Sequence, residues 1–474
     1  MLAFRWRSGA KLGLALAMAA AQPVAAQTPD FSGFEAAAEA AGWRVGLLPL
    51  PESTPPEASN LRLQRGAVVL LAERLQLDET AGPEAFRLDG VRLLELGREG
   101  RSGEMTARTL AASHTAALDL LDPRGAPDQD FCAEDRPATL RLRGSDVVML
   151  ADPDAMSLGQ AGPEALRVGQ AELSILRQGT GETCGLALSS TLEQVQARAA
   201  DGTEGYISAL RIEADTGPEN GALTHLALEI VDLGARNGNR LLMAAERLAL
   251  RASGADLARL IPGNAGNAPL LARLFDAEGE VALEIDAIDL PLGDLLPEDI
   301  ALPAHLLARI PGERVAGDFT MMARLGEQGA VALGLDMTLS GLADLDFDIE
   351  AIVPQSAGGA EMLPGVPAEI AGISLKRAGL ALHDRGLDAL LDHYTGRGLQ
   401  THTAEALRPA GRVLPGPVLA GLQAGVEDWL ARALRDGAWL ELAPQEPVSL
   451  MQVGSLMLFA PDGVVELLGL RTER

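Results

Sequence analysis

The residues best suited to chemistry lie close together late in the chain: His383, Asp384, Asp388, Asp392, His393 and His402. Imidazole and carboxylate groups together can hold a divalent metal. Asp384, Asp388 and Asp392 recur every fourth residue and so share one helix face. Leu387, Leu390, Leu391 and Tyr394 form an opposing apolar stripe, which is the pattern of a surface helix with a solvated acidic face. A second acidic series, Asp344, Asp346, Asp348 and Glu350, alternates with Leu345, Phe347 and Ile349. Carboxylates can chelate calcium, but calcium loops turn on glycine and use backbone carbonyls. No glycine interrupts this run, so it reads as the outer face of a half-buried strand. Arg98 and Arg101, with Glu99 and Glu104, read as a hairpin tip. His114, His225 and His305 stand apart from other candidate ligands. No catalytic residue, metal site or cofactor site is assigned. The common metalloprotease, nucleophile-elbow, phosphate-loop and dinucleotide motifs do not occur, although a triad assembled across a fold leaves no local trace.

The two cysteines, Cys132 and Cys184, are read through the N-terminus. Arg5, Arg7 and Lys11 precede a short apolar run from Leu12 to Ala21, and Val24-Ala25-Ala26 supplies a small-residue cleavage pattern. Residues 1–26 therefore read as a signal peptide cleaved between Ala26 and Gln27. The apolar run is far shorter than the ~20 residues of a membrane span, so the expectation is a secreted, periplasmic protein with no transmembrane span after cleavage. In an oxidising compartment the two cysteines are expected to form one structural disulfide. Its loop of about fifty residues predicts roughly 3–4 kcal/mol of stabilisation. The spacing is not that of a Cys-x-x-Cys redox pair.

Composition narrows the function classes. The 474 residues carry 39 Lys+Arg against 66 Asp+Glu, a net charge of −27. Loss of three basic residues with the signal peptide takes this to −30. Phosphate binding needs a basic footprint, so a nucleic-acid partner is not expected. Hydrophobic residues make up 47% of the chain, enough for a core, but aromatics only 3%. So few aromatics argue against base-stacking or sugar-stacking surfaces.

These residues need elements to hold them. Residues 31–41 predict a short helix, with Ser32 and Glu35 at capping-box spacing. The prolines of 49–58 predict a linker. Beyond it, apolar and polar residues alternate: Leu61 and Leu63, Leu140 and Leu142, and Leu226, Leu228 and Ile230. Period-two alternation predicts half-buried antiparallel strands. Further strands are expected at 280–290, 314–325, 331–339 and 439–442. Helices are expected near 384–394 and 415–436, and 447–470 as a buried helix or docking surface. The fold expected is mainly β (α+β), with antiparallel amphipathic sheets, short helices and a helical C-terminal segment. The expected division is 1–26 signal peptide, 27–58 helix and linker, 59–252 β-rich domain with the disulfide, 253–276 helical connector, and 277–474 a β domain covered by helices.

An internal repeat is also legible. Ala81-Gly82-Pro83-Glu84-Ala85 matches Ala161-Gly162-Pro163-Glu164-Ala165, and each leads into a strand-like run and then a Gly-Glu turn, at Gly103-Glu104 and Gly181-Glu182. A weaker copy starts at Gly217-Pro218-Glu219. Ala72-Glu73-Arg74-Leu75 recurs as Ala245-Glu246-Arg247-Leu248.

The stretch Ile373-Ser374-Leu375-Lys376-Arg377-Ala378-Gly379-Leu380-Ala381-Leu382-His383-Asp384-Arg385-Gly386-Leu387, a strand running into a helix, resembles the AsmA-like and YdgA-like β-rich periplasmic proteins of proteobacteria. The ending Leu440-Glu441-Leu442-Ala443-Pro444-Gln445-Glu446-Pro447-Val448 adds to this resemblance. It covers about a fifth of the chain. AsmA-like proteins keep an N-terminal membrane anchor, whereas this N-terminus reads as cleaved. The resemblance implies a cell-envelope role, in lipid handling or outer-membrane assembly, and carries over no site residue. The leading expectation is a non-enzymatic envelope protein binding a lipid or other apolar ligand on a β surface. A ligand-free module recognising envelope proteins is the alternative, and a hydrolase with a site built across the fold the third reading.

Overall fold

A computed structural model describes residues 30–50, 53, 55–78, 84–97, 100–121, 132, 137–151, 165–179, 184–199, 201–217, 223–254, 278–291, 310, 313–353, 373–407, 416–459 and 463–473. The expected signal peptide and nearly all of the expected helical connector lie outside these residues. The chain divides into two compact units: residues 1–131, 135–160 and 170–172, and residues 132–134, 161–169 and 173–474. The expectation of a mainly β, antiparallel chain holds for the described residues.

The first unit begins with helix α1 (Ser32–Ala40) and strand β1 (Arg44–Pro49). It continues through β2 (Glu57–Arg65), β3 (Val68–Leu77), β4 (Phe86–Gly97), β5 (Gly100–Ala112) and β6 (Thr139–Ala151). Each strand pairs antiparallel with the next in the chain. The core is sealed: Leu61, Leu63, Leu70, Leu75 and Leu88 are all fully buried. Phe34 of α1 meets Phe86 edge-on, centroids 5.3 Å apart, and the Arg65 guanidinium lies 4.9 Å over the buried Trp43 ring. Strand β7 (Ala165–Gln178) runs through both units.

Three expectations are corrected here. Helix α1 starts at Ser32 after Phe31, and no capping box forms; instead the Asp30 carboxylate accepts the Ser32 amide at 2.9 Å. Burial of Phe31 fixes the entry one residue away from the expected cap. The 49–58 linker is shorter than expected, because β1 ends at Pro49 and β2 starts at Glu57. Gly103 and Glu104 are not a turn but pair with Ala151 and Leu150 inside β5.

The second unit is a longer meander. Its strands are β8 (Gly185–Arg198), β9 (Thr203–Thr216), β10 (Leu223–Asn237), β11 (Arg240–Gly254), β12 (Gly279–Pro291), β13 (Arg314–Leu325), β14 (Ala330–Leu339), β15 (Ala343–Ile352) and β16 (Ser374–Asp384). From β8 to β16 each strand again pairs with its chain neighbour. Helices α2 (Leu387–Thr395), α3 (Leu399–Leu407) and α4 (Gly416–Ala433) follow. Strands β17 (Ala438–Leu442) and β18 (Val448–Ser449) then return to β16. Helices α5 (Leu450–Phe459) and α6 (Gly463–Leu468) precede β19 (Leu470–Glu473), which pairs with β17. The C-terminal stretch thus interleaves helices with short strands, and the 447–470 run is β18, α5 and α6 rather than one helix. Cys132 is bonded to Cys184, with Cα atoms 5.7 Å apart, which fixes Cys132 beside the start of β8.

One feature recurs in both units. In the first, Asn60, Gly90 and Asp146 adopt left-handed backbone in mid-strand, at φ +54, +61 and +49. They lie on β2, β4 and β6. In the second, Gln194, Asp232 and Ala287 do so on β8, β10 and β12, at φ +55, +50 and +50. The ladder omits the pairing at these residues, yet between β2 and β3 the register is unchanged on either side. The inward rhythm slips by one residue at the same level on both partners: Ala58 and Leu61 are buried on β2, and Leu75 and Ala72 opposite them on β3. Leu88 and Val91 repeat this on β4, and Leu110 and Ala107 on β5. The sequence signature is an apolar pair three apart in an otherwise alternating strand. Both Ala-Glu-Arg-Leu tetrapeptides fall on this line, in β3 and β11.

Candidate functional site

The second unit places its apolar residues in continuous rows across β9–β14. One row is Leu210, Ile230, Leu248, Ile285, Phe319 and Met337. Beside it run Ile212, Leu228, Leu250, Leu283, Met321 and Leu335. A third is Ala214, Leu226, Ala252, Val281, Ala323 and Leu333. Cross-strand partners share a face, so the three rows form one surface without a charge. Of these residues only Ala252 is buried; Met321 is 40% exposed and Leu333 39%. At ~4.8 Å per strand and ~6.8 Å per two residues, the surface measures about 24 Å by 14 Å. A partly exposed apolar surface of this size matches the largest patch on an ordinary monomer, which is often functional.

The rows continue onto β15–β17 and there acquire a cover. Leu345, Leu382 and Ala438 extend the first row, and Phe347, Leu380 and Leu440 the second. Trp429, Leu430 and Ala433 of α4 form a buried cluster with Ala343, Leu382 and Ala438, against which Leu345, Leu380 and Leu440 pack. Helix α2 seals the adjacent strand ends, where Leu390 clusters with Val315 and Leu342.

The opposite face carries the charges. Arg247 bonds Glu229 at 2.9 Å and Glu284 at 3.0 Å, and Arg211 reaches Glu229 at 2.9 Å. These hydrogen bonds, that of Arg247 foremost, hold the Glu229 carboxyl below its ordinary range. The series Asp344, Asp346, Asp348 and Glu350 belongs to this face as expected. Asp344 pairs with Arg385 and lies 3.5 Å from the His383 ring. Asp346 is directly opposite Asp336. Burial first, then the Asp336 and Asp348 charges, raise its pKa.

Asp384, Asp388 and His402 of the cluster near α2 serve local structure. Asp384 accepts the Asp388 amide at 3.0 Å, and Asp388 accepts the Leu399 amide at 2.7 Å, capping α3. His402 Nε2 lies 3.0 Å from the Thr395 hydroxyl, which also approaches the Leu391 carbonyl at 2.8 Å. A hydroxyl proton given to that carbonyl leaves the imidazole as donor, not as base. Among the described residues no three His, Cys, Asp or Glu side chains converge as metal ligands. His114 is not isolated: its Nδ1 accepts the Ala116 amide at 3.0 Å, so Nε2–H donates to Glu84 at 2.9 Å. Thr115 donates to the same carboxylate and is 1% exposed, out of a substrate's reach. Arg98, Glu99 and His305 lie outside the described residues.

Sequence reasoning identified strands of this surface but missed the rows. The signal was present: β9 to β14 carry apolar residues at alternate positions, and only the register aligns them. Among the described residues no helix is long and apolar enough to cross a membrane. No family model matches the chain, and no curated protein matches it.

Proposed function

We propose that this is an exported envelope protein that binds the acyl part of a lipid on the open apolar face of β9–β14. The observation that carries the reading is the three charge-free rows, whose large side chains are all at least partly exposed. The face's length of about 24 Å exceeds the ~15 Å depth of one acyl layer, half of a bilayer's ~30 Å core. The disulfide is compatible with an oxidising compartment, and the signal-like N-terminus and the resemblance to AsmA-like proteins point the same way. No reaction is required of the site: binding by area needs no acid, base or nucleophile.

Mass spectrometry of organic extracts from natively purified protein, against a matched blank, is the direct test. A stoichiometric lipid is expected. A clean extract, together with no binding of an apolar fluorescent probe, ends the ligand reading. Met321→Glu and Leu333→Glu place a charge on exposed positions of the face. Each is expected to weaken probe binding at least tenfold, with a stability change of about 0.5 kcal/mol or less.

A further inference from the structure

We propose that helix α4 is a displaceable cover on the apolar face and competes with the acyl chain for it. This rests on the apolar-ligand reading and adds its regulation. The rows left open on β9–β14 pass without a break beneath α4 on β15–β17, where Trp429, Leu430 and Ala433 occupy them. The helix therefore makes the contacts that an acyl chain sliding along the rows would make. Two features weaken its hold. Gly421 and Gly425 lie in its interior, and glycine is among the poorest helix formers. The Trp429 indole N–H is buried without an acceptor among the described residues. The docked helix carries that desolvation cost and an undocked one does not. A ligand that takes the strip releases the helix, and a firmly docked helix lowers apparent affinity by the fraction of molecules left open.

Hydrogen–deuterium exchange of the full chain, with and without oleate, tests this. Equilibrium dialysis under the same conditions reports binding. Expected are faster exchange in 416–433 and slower exchange in β9–β14 when oleate is bound. Bound oleate with unchanged or slower exchange in 416–433 overturns the cover and leaves the ligand reading standing. No bound oleate overturns both. Two variants move affinity in opposite directions. Leu430→Ala, which loosens α4, is expected to bind oleate about tenfold more tightly. Gly421→Ala fills open space on the helix, firms it, and is expected to bind about threefold more weakly. Equal affinity of all folded forms overturns the proposal, and either variant suffices if the other does not fold.

Discussion

Asp346 is where the charged face works against itself. Its carboxyl is partly desolvated and looks directly across at Asp336, with Asp348 two residues along the strand and Arg377 the opposing cation. The folded state therefore holds this proton more tightly than the unfolded chain does. A group raised in this way contributes stability that is complete below its unfolded pKa of ~3.9 and is lost as pH rises through the folded value. Asp346→Asn removes that loss. Asp346 is exposed, so solvent screens the repulsion, and the variant is expected to be more stable than the parent at pH 7 by only about 0.2–0.5 kcal/mol and to converge with it near pH 3. Urea unfolding at the two pH values measures this, and an equal difference at both contradicts it. Glu229 behaves in the opposite sense, since its lowered carboxyl loses stabilising bonds to Arg247 and Arg211 as pH falls. The alternation in sequence was enough to put Asp344, Asp346, Asp348 and Glu350 on a solvated face. The double caps of Asp384 and Asp388 were not legible, because Asp388 serves a helix that starts eleven residues later.

The strands themselves were readable where alternation is strict. The expected 314–325 strand is β13, and 331–339 differs from β14 by one residue. The mid-strand phase slip was not readable, for a physical reason. Left-handed backbone favours Gly, Asn and Asp, and Asn60, Gly90, Asp146 and Asp232 follow that preference. Gln194 and Ala287 do not, so no single residue type flags the line. Ala287 is the strained member: its side chain gains nothing from φ +50, although its amide is held at 2.8 Å by Asp318. Ala287→Gly relieves the clash of Cβ with the backbone and is expected to stabilise the protein by about 0.5–1 kcal/mol. Thermal unfolding checks this, and a destabilised variant means that the Ala287 side chain packs more usefully than its partial exposure implies.

At the scale of the molecule, the two units place apolar residues differently: the first buries a core of Leu61, Leu63, Leu70, Leu75 and Leu88, and the second carries continuous rows of partly exposed ones. Its one covalent brace, Cys132–Cys184, closes a separation of 52 residues. Cys184→Ser is expected to cost about 3–4 kcal/mol on the chain-entropy account, read as a lower denaturant midpoint. A variant as stable as the parent means that the unfolded chain is already ordered there. The pairing scheme has a further consequence. Among the described residues each strand from β9 to β15 bonds only to its chain neighbours, and the left-handed residue falls on every second strand from β8 to β12. The sheet is thus counted in hairpins, and each hairpin brings one kinked strand, one regular strand and two further columns of the apolar rows. Excising β9 and β10 together would bring β8 against β11 with the alternation of kinked and regular strands intact. Removing one strand alone would place two strands of the same kind, pointing the same way, side by side. Length is therefore a property this chain can gain or lose in steps of two strands, and with it the span of the apolar face.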